Sequence, residues 1–384
     1  MRTLFSLTSI LLAVIGALTV LPPEASFGQR GKFVPVYEEA HSFRASSSAR
    51  EDQMRQLSSA RLNVSSMSTV SATSVWALAR ESLSSGLQRE VVFRTANGGA
   101  TWERHIIDFD GWFYDIFFVD SETGWIAGSH GSILKSTDAG QTWRRQQTSS
   151  QSALIDIQFV DRNHGWAMGE GGQILITTDG GEHWRGKLIP ARHGLRALHF
   201  SDRLNGWAVG EEGEAHRSQD GGATWETRGR QVLSSIPKFT NLVASFRTVR
   251  FITPQAGFMI ANVASTRESG SRWQAILLST NDSGFSWTAT VVPGDSGVLR
   301  AQLLSSADIW VVSGLGEKLL HTLDGGRRWS SINPVSDGGM VMGIQFSDHD
   351  LGWLVISYGT FSDSLFHTSD GGKTWAKVEL PGGD

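Results

Sequence analysis

The 384-residue sequence contains no cysteine and only three tyrosines. The absence of cysteine excludes disulfides, thiolate metal sites, cysteine nucleophiles and lipid attachment to an N-terminal cysteine. The net charge of −4, from 34 basic and 38 acidic residues, argues against general affinity for nucleic acids. The 11 histidines are scattered and no His-Glu-x-x-His motif occurs, so we expect no metal site and no cofactor.

Glycine and tryptophan, in contrast, are abundant, with 43 and 15 residues. Hydrophobic residues make up 40% of the chain, which is enough to bury a large core. Many glycines and tryptophans beside short β-prone runs indicate tight turns around a packed all-β core.

The first 28 residues have the pattern of a secretory signal peptide. Arg2 supplies the positive start, the run from Leu4 to Leu21 is apolar, and Ser26-Phe27-Gly28 resembles a cleavage site. An uncleaved membrane anchor is the alternative. Residues 29–60, rich in serine and charge, predict an extension outside the folded domain. We therefore expect an exported protein, periplasmic or secreted.

One turn motif, Ser/Thr-x-Asp-x-Gly-x-Thr-Trp with small variations, occurs seven times. Successive copies are separated by 41, 41, 41, 62, 42 and 46 residues, close to the roughly 40–45 residues of a four-stranded propeller blade. The sequence therefore predicts an all-β, seven-bladed β-propeller over residues 61–384, with the motif between the third and fourth strands of each blade. The acidic or amide position of the motif is Asn97, Asp138, Asp179, Asp220, Asp282, Asp324 and Asp370.

These seven side chains have a structural explanation. A carboxylate in a tight turn accepts hydrogen bonds from nearby backbone amides, the glycine supplies a positive φ, and the closing tryptophan packs beneath the turn. Because a catalytic residue is not normally repeated around a ring, we predict a structural role and no catalytic residue among them.

A second landmark precedes each turn motif. It is Gly-Trp followed by apolar residues in four copies, such as Gly124-Trp125, and a phenylalanine lies seven residues before most of these tryptophans. In the second repeat the pattern predicts four strands, over 113–119, 124–128, 132–136 and 142–147.

The turn motifs resemble Asp-box, or BNR, repeats. The pairing of Gly-Trp-Ala-Val-Gly at Gly206–Gly210 with Asp-Gly-Gly-Ala-Thr-Trp at Asp220–Trp225 resembles the photosystem II stability/assembly factor family, over nearly the whole mature chain. The resemblance implies a non-enzymatic propeller that holds membrane-protein assembly intermediates on the periplasmic side, or in the thylakoid lumen of a phototroph. We expect a protein partner of this kind and a monomer. Photosynthetic bacterial relatives often carry a lipidated cysteine, which is absent here.

An extracellular glycoside hydrolase, sialidase-like or of another Asp-box type, is the alternative. Asp115 and Asp156 hold equivalent positions on neighbouring innermost strands, where two carboxylates can raise one another's pKa. A sialidase also needs a tyrosine nucleophile, and only Tyr37, Tyr114 and Tyr358 are available. Hydrogen bonding of both carboxylates is the simpler interpretation.

The segment from Glu226 to Arg272 is the most basic part of the chain. Its seven basic and two acidic residues give a local charge of +5. Arginine side chains bind carboxylates in a bidentate manner, so we predict docking of an acidic or extended partner segment. The alternative is a solvated loop whose arginines pair with neighbouring blades. The predicted partner-binding residues are Arg228, Arg230, Arg247, Arg250, Arg267 and Arg272.

Overall fold

The computed structural model describes residues 61–381, except 84, 237–242, 265–272, 295, 315, 317, 335–337 and 360–361. The predicted signal peptide and the 29–60 extension lie outside the described residues. The described strands form seven antiparallel sheets of four strands, each built from consecutive strands. These sheets are the blades of a β-propeller, which confirms the predicted fold class.

Blades one to four share one strand order, from the tunnel to the rim. Blade one comprises β1 (Arg61–Thr69), β2 (Val75–Ser82), β3 (Gln88–Thr95) and β4 (Glu103–Ile107). Blade two comprises β5 (Phe113–Phe118), β6 (Gly124–Gly128), β7 (Ile133–Ser136) and β8 (Arg144–Gln146). Blade three comprises β9 (Leu154–Phe159), β10 (Gly165–Gly169), β11 (Gln173–Thr177) and β12 (Arg185–Leu188). Blade four comprises β13 (Leu195–Phe200), β14 (Gly206–Gly210), β15 (Ala215–Ser218) and β16 (Glu226–Thr227).

The remaining three blades have the same order. Blade five comprises β17 (Val243–Phe251), β18 (Gly257–Ala264), β19 (Gln274–Thr280) and β20 (Thr288–Val291). Blade six comprises β21 (Val298–Leu303), β22 (Ile309–Ser313), β23 (Lys318–Thr322) and β24 (Ser330–Ile332). Blade seven comprises β25 (Met340–Phe346), β26 (Gly352–Ser357), β27 (Asp363–Thr368) and β28 (Ala376–Val378). A short helix, α1 (Gly229–Ser234), follows blade four. In blades two, three and four a 3₁₀ turn connects the second strand to the third, at Ser129–Gly131, Glu170–Gly172 and Glu211–Gly213.

The four strands predicted for the second repeat agree with β5 to β8, with their ends trimmed by one or two residues. The first strands of successive blades contact one another around the ring and surround the central tunnel. No helix in the described part of the chain is both long and apolar enough to cross a bilayer.

The landmark phenylalanine explains the glycine that follows it. Phe118 pairs with Gly124 across β5 and β6, and a Cβ on that glycine would lie 2.6 Å from the phenylalanine ring. Gly165, Gly206, Gly257 and Gly352 face their own phenylalanines in the same way. In blades one and six the phenylalanine is replaced by Thr69 or Leu303, and the paired residue is Val75 or Ile309. The glycine is therefore required only where the aromatic ring covers it.

The tryptophan after that glycine joins one blade to the next. Trp76 of blade one stacks on Phe118 of blade two, with ring centroids 3.8 Å apart and planes 7° apart. Its indole NH donates to the carbonyl of Ala139 in the turn motif of blade two. The stack recurs at four further boundaries, with centroid distances of 3.4, 3.8, 6.0 and 4.4 Å. Offset-stacked aromatic pairs stabilise a fold beyond the area they bury.

The hydrophobic core is accordingly divided into one cluster for each boundary between blades. The cluster between blades one and two, for example, contains Trp76, Leu78, Phe113, Ile116 and Ile126, all at most 2% exposed. Six further clusters occupy the other boundaries, and the one between blades seven and one continues into a smaller cluster of blade one around Phe93. A blade therefore depends on both neighbours for the burial of its apolar faces.

The Asp-box turns have the predicted structural geometry. In blade four, Asp220 accepts hydrogen bonds from the Ser218 hydroxyl at 2.9 Å and from the Thr224 amide and hydroxyl at 2.9 and 2.5 Å. The other six boxes accept the same hydrogen bond from the amide four residues on. A hydroxyl at that position also donates to Asp138, Asp282 and Asp370, whereas Asn97 donates to the Thr101 hydroxyl. Hydrogen bonds from Ser286 hold the pKa of Asp282 at about 2.

The ring closes by side-chain contacts between blades seven and one. Asp363 accepts a hydrogen bond from the Val64 amide at 2.9 Å, and Ser362 accepts one from the Leu62 amide at 3.1 Å. Blade seven is completed by its own fourth strand, β28, so the described chain closes the ring without a shared sheet.

We expect Asp220→Ala to destabilise the propeller by about 1–3 kcal/mol, because it leaves the amide and hydroxyl of Thr224 without their charged acceptor. Asn97→Asp is the matched control. It restores the residue of the other six boxes and should change the free energy of unfolding by less than about 0.5 kcal/mol. Urea denaturation of both variants measures the difference, and equal losses would contradict a structural role specific to the carboxylate.

Candidate functional site

The innermost strands all carry a β-bulge at the same position. In each first strand the register with the second strand skips one residue, four residues before the landmark phenylalanine or its replacement. A bulge redirects neighbouring side chains and often lies beside a functional site. The seven bulge residues, which the strand register skips, are Ser65, Tyr114, Ile155, Arg196, Arg247, Leu299 and Met342.

Three arginines lie close together at this level of the tunnel, and we call them the tunnel arginine cluster. Arg196 and Arg247 are the bulge residues of blades four and five, and Arg300 follows the bulge of blade six. Arg196 pairs with Glu211 of the same blade. The Arg300 Nε atom donates to the Met342 carbonyl at 3.4 Å. The cluster contains three cations and one carboxylate, so it is positively charged.

Arg247 makes the fewest polar contacts of the three arginines in the cluster. Burial, followed by repulsion from Arg196 and Arg300, lowers its pKa to about 10, and attraction to Glu211 opposes the shift. Arg300 is exposed to the tunnel, and desolvation by the strands that surround it also lowers its pKa, although Asp115 attracts its guanidinium. Both groups remain charged at neutral pH. Within the described residues, the guanidinium of Arg247 has no hydrogen-bond or ion-pair partner.

The two predicted carboxylates, Asp115 and Asp156, do occupy equivalent positions directly after the bulges of blades two and three. Asp115 accepts from the Ser66 hydroxyl at 2.7 Å and from the Ile157 amide at 2.9 Å. Asp156 accepts from the Leu198 amide at 3.0 Å. Each carboxyl thus holds the first strand of the next blade, in agreement with the simpler interpretation of the sequence.

Burial raises the pKa of both carboxyls. For Asp115 the second cause is repulsion from Asp156, while the hydrogen bonds from Ser66 and Ile157 oppose the shift. For Asp156 the opposing charge is Arg250. At neutral pH the total negative charge on Asp115 and Asp156 is therefore smaller than that on two aspartates with ordinary pKa values.

The tunnel positions next to the landmark phenylalanines also link blades. Gln158 accepts from the Phe200 amide at 2.9 Å and donates to its carbonyl at 2.8 Å. His199 lies between Gln158 and the Phe251 carbonyl. Burial and the Arg250 charge lower the pKa of His199 to about 3. The imidazole is therefore neutral at physiological pH and makes a poor general base.

The structure separates the arginines that the sequence grouped. Arg228 and Arg230 lie at the outer edge of blade four, where Arg228 pairs with Glu226 at 2.7 Å and Arg230 is exposed on α1. Arg247 and Arg250 lie on the innermost strand of blade five. Arg267 and Arg272 fall outside the described residues. The four described arginines are thus at two opposite edges of the blades, because charge was counted along the chain and not around the ring.

Arg196 and Arg300 were missed by the sequence analysis. The sequence spacing could have identified them. Arg196 and Arg247 each lie four residues before a landmark phenylalanine, and Arg300 lies three residues before Leu303, which replaces that phenylalanine in blade six. Aligning the repeats on that landmark places all three in neighbouring blades at one level. The sequence analysis considered only the basic segment from Glu226 to Arg272, and Arg196 and Arg300 lie outside that segment.

The fold and site together define an Asp-box propeller with a basic tunnel. The family model for "Photosynthesis system II assembly factor YCF48" matches residues 94–153 and 143–196. The resemblance to this family predicted from the sequence is thereby confirmed. No curated protein matches the chain.

Solved structures share the architecture. "YCF48 from Cyanidioschyzon merolae" aligns with a TM-score of 0.59 and 17% identity, covering 81% of this chain and 96% of that one. "YCF48 bound to D1 peptide" aligns with a TM-score of 0.54 and 20% identity, covering 71% and 82%. The WD40 propeller domain of Doa1 aligns with a TM-score of 0.52 at 11% identity, covering 82% and 94%. At these identities the alignments establish the fold.

We expect Asp115→Asn to become more stable relative to the wild type as the pH rises from 5 to 8. A buried acid with a raised pKa favours the folded state below that pKa, and the contribution is lost as the pH rises through it. Each unit of pKa difference corresponds to about 1.4 kcal/mol. Thermal unfolding at both pH values measures the change.

Asp202→Asn is the matched control, because the pKa of this hairpin carboxyl is lowered by hydrogen bonds from Asn205 despite some burial. Its stability relative to the wild type should stay constant between pH 5 and 8. A parallel response of the two variants would show that Asp115 does not titrate as described.

Proposed function

We propose that this protein is a non-catalytic, exported scaffold of the photosystem II assembly factor type, which holds an extended acidic segment of a membrane protein during assembly. The observation that carries the proposal is the tunnel arginine cluster of Arg196, Arg247 and Arg300. The location outside the cytoplasm rests on the signal-peptide pattern of residues 1–28.

The cluster has the chemistry of a carboxylate-binding surface. Arg196 is already paired with Glu211, whereas Arg247 makes no hydrogen bond or ion pair with any described residue and is only attracted to Glu211 from a distance. Three neighbouring guanidinium groups repel one another, and a carboxylate of a partner relieves that repulsion while it forms bidentate hydrogen bonds. Placement on three rigid inner strands fixes the spacing of the donors before a ligand binds.

The similar structure described as "YCF48 bound to D1 peptide" supports a peptide as the ligand class by analogy. The family match in residues 94–196 supports the same class of partner.

The glycoside hydrolase alternative has less support. A hydrolase needs one carboxyl free to donate a proton and a second free to attack or activate water. Both oxygens of Asp115 accept hydrogen bonds from neighbouring blades, and Asp156 holds the Leu198 amide. The neutral His199 beside them is bonded on both ring nitrogens. These groups are arranged to join blades.

The combined variant Arg196→Gln, Arg247→Gln, Arg300→Gln should bind a short fluorescent peptide rich in Asp and Glu at least about tenfold more weakly than the wild type, which is about 1.4 kcal/mol. Wild-type binding should weaken as salt is raised, because the contacts are between charges. Fluorescence anisotropy measures both effects. A lysine-rich peptide should not bind.

Arg230→Gln is the matched control, since this exposed arginine of α1 is not a member of the tunnel arginine cluster. It should bind the acidic peptide like the wild type. Unchanged binding by the triple variant, with its melting temperature retained, would contradict the proposal. Turnover of aryl glycosides by the purified protein, lost in Asp156→Asn, would establish the hydrolase instead.

We also expect the exported protein to begin near Gln29, because signal cleavage follows a small-x-small sequence such as Ser26-Phe27-Gly28. N-terminal sequencing of the protein recovered from the cell envelope tests this. A start at Met1 in the membrane fraction would favour the retained anchor.

A further inference from the structure

Blade six and blade seven meet at a cluster of two histidines and one aspartate that the proposed function does not use. Asp308 ends the hairpin between β21 and β22, His321 lies on β23, and His349 lies on the hairpin between β25 and β26. Within the described chain, this is the only group of three or more histidine, aspartate or glutamate residues close enough to share one metal ion.

The two imidazoles converge on one carboxylate. The Nε2 atom of His321 lies 2.8 Å from Oδ1 of Asp308, and the Nδ1 atom of His349 lies 2.8 Å from Oδ2. The three ligand atoms lie within 4.8 Å of one another. A tetrahedral Zn²⁺ ion with bonds of about 2.0–2.1 Å holds its ligand atoms roughly 3.3 Å apart. The longest separation, at most 4.8 Å, would shorten by up to about 1.5 Å, and the two 2.8 Å pairs would lengthen by about 0.5 Å.

Two of the three ligands are fixed and the third is free to adjust. The Asp308 amide donates to the Ser305 hydroxyl at 3.0 Å, and its carbonyl accepts from the Leu304 amide at 3.0 Å. The His321 ring stacks on Trp310 with centroids 3.7 Å apart, and its side chain is 9% exposed. The His349 side chain is 54% exposed. It supplies both the mobility for closure and the access for an ion.

The corresponding positions at two other boundaries carry a different cation. Arg162 and Arg203 lie three residues after their landmark phenylalanines and pair with an aspartate of the preceding blade, at 2.5 Å to Asp120 and 2.8 Å to Asp161. His349 lies three residues after Phe346 and reaches back to blade six in the same way. At this boundary His349, a potential metal ligand, stands where the other two boundaries have an arginine. His321 adds a second histidine.

We propose that Asp308, His321 and His349 bind one divalent transition-metal ion of the zinc type, which joins blade six to blade seven. Imidazole nitrogens and a carboxylate oxygen are suitable ligands for Zn²⁺, and a water completes the four-coordinate site. The metal replaces the hydrogen-bonded protons between the imidazoles and the carboxylate, so that the three side chains keep their relative positions. The site lies at the boundary of two blades, so binding stabilises the ring.

The test uses the full mature chain without an affinity tag, stripped with a chelator and titrated with ZnCl₂ by calorimetry. We expect one equivalent to bind with a Kd below about 10 μM and to raise the melting temperature. Co²⁺ in place of Zn²⁺ should give the visible absorption of a four-coordinate site with nitrogen and oxygen ligands.

The two informative variants are His349→Ala and His349→Arg. Each should weaken zinc binding at least tenfold. The arginine variant should also form an inter-blade ion pair like those of Arg162 and Arg203, so its melting temperature without metal should match that of the metal-free wild type. His183→Ala is the control, because His183 pairs with Asp179 at 2.7 Å without a third ligand. Circular dichroism confirms that each variant is folded.

The absence of one-to-one zinc binding in the wild type would overturn the proposal. So would equal affinities of the His349→Ala and His183→Ala proteins, which would place any bound zinc elsewhere on the surface. Stoichiometric binding lost in both His349 variants and kept in His183→Ala supports the site.

Discussion

The contact on which the propeller depends is the stack between a tryptophan of one blade and a phenylalanine of the next. Trp125 and Phe159 lie 3.4 Å apart with nearly parallel planes, and the edge of that phenylalanine meets Trp184 of its own Asp-box. The phenylalanine also excludes a Cβ from the glycine paired with it. One ring therefore positions the neighbouring blade, the second strand and the turn motif, which is why these residue types recur together at fixed spacing.

A second set of contacts joins the blades around the tunnel. Asp115, Asp156, Gln158 and Gln302 each bind backbone groups of the following blade. Because these bonds fix the innermost strands, the bulges and their arginines have defined positions. The carboxylates are occupied by these bonds between blades and are not available for catalysis. The same bonds hold the tunnel arginine cluster in a fixed arrangement before a ligand binds. The stabilising and binding roles of the tunnel are therefore divided between its acidic and amide residues and its basic residues.

Much of this architecture was predictable because it depends on short-range patterns. The Asp-box of Asp220, the strands of blade two and the pairing of Phe118 with Gly124-Trp125 all follow from local turn chemistry and strand alternation. The grouping of arginines was not predictable by counting along the chain, because Arg228 and Arg247 belong to opposite edges of adjacent blades. The approach of His321 to His349 likewise depends on packing between blades, which no local motif encodes.

The closure of the ring has a mechanical consequence. Each blade is a continuous stretch of chain, so no strand within the described residues spans two blades. At the boundary between blades seven and one, Trp353 packs in a cluster with Val75, and the polar contacts are those of Asp363 and Ser362 with β1. The first and last blades of the described chain meet here, so no connection between consecutive blades crosses this boundary. Tension applied to the two ends of the chain is therefore borne first by these side-chain contacts.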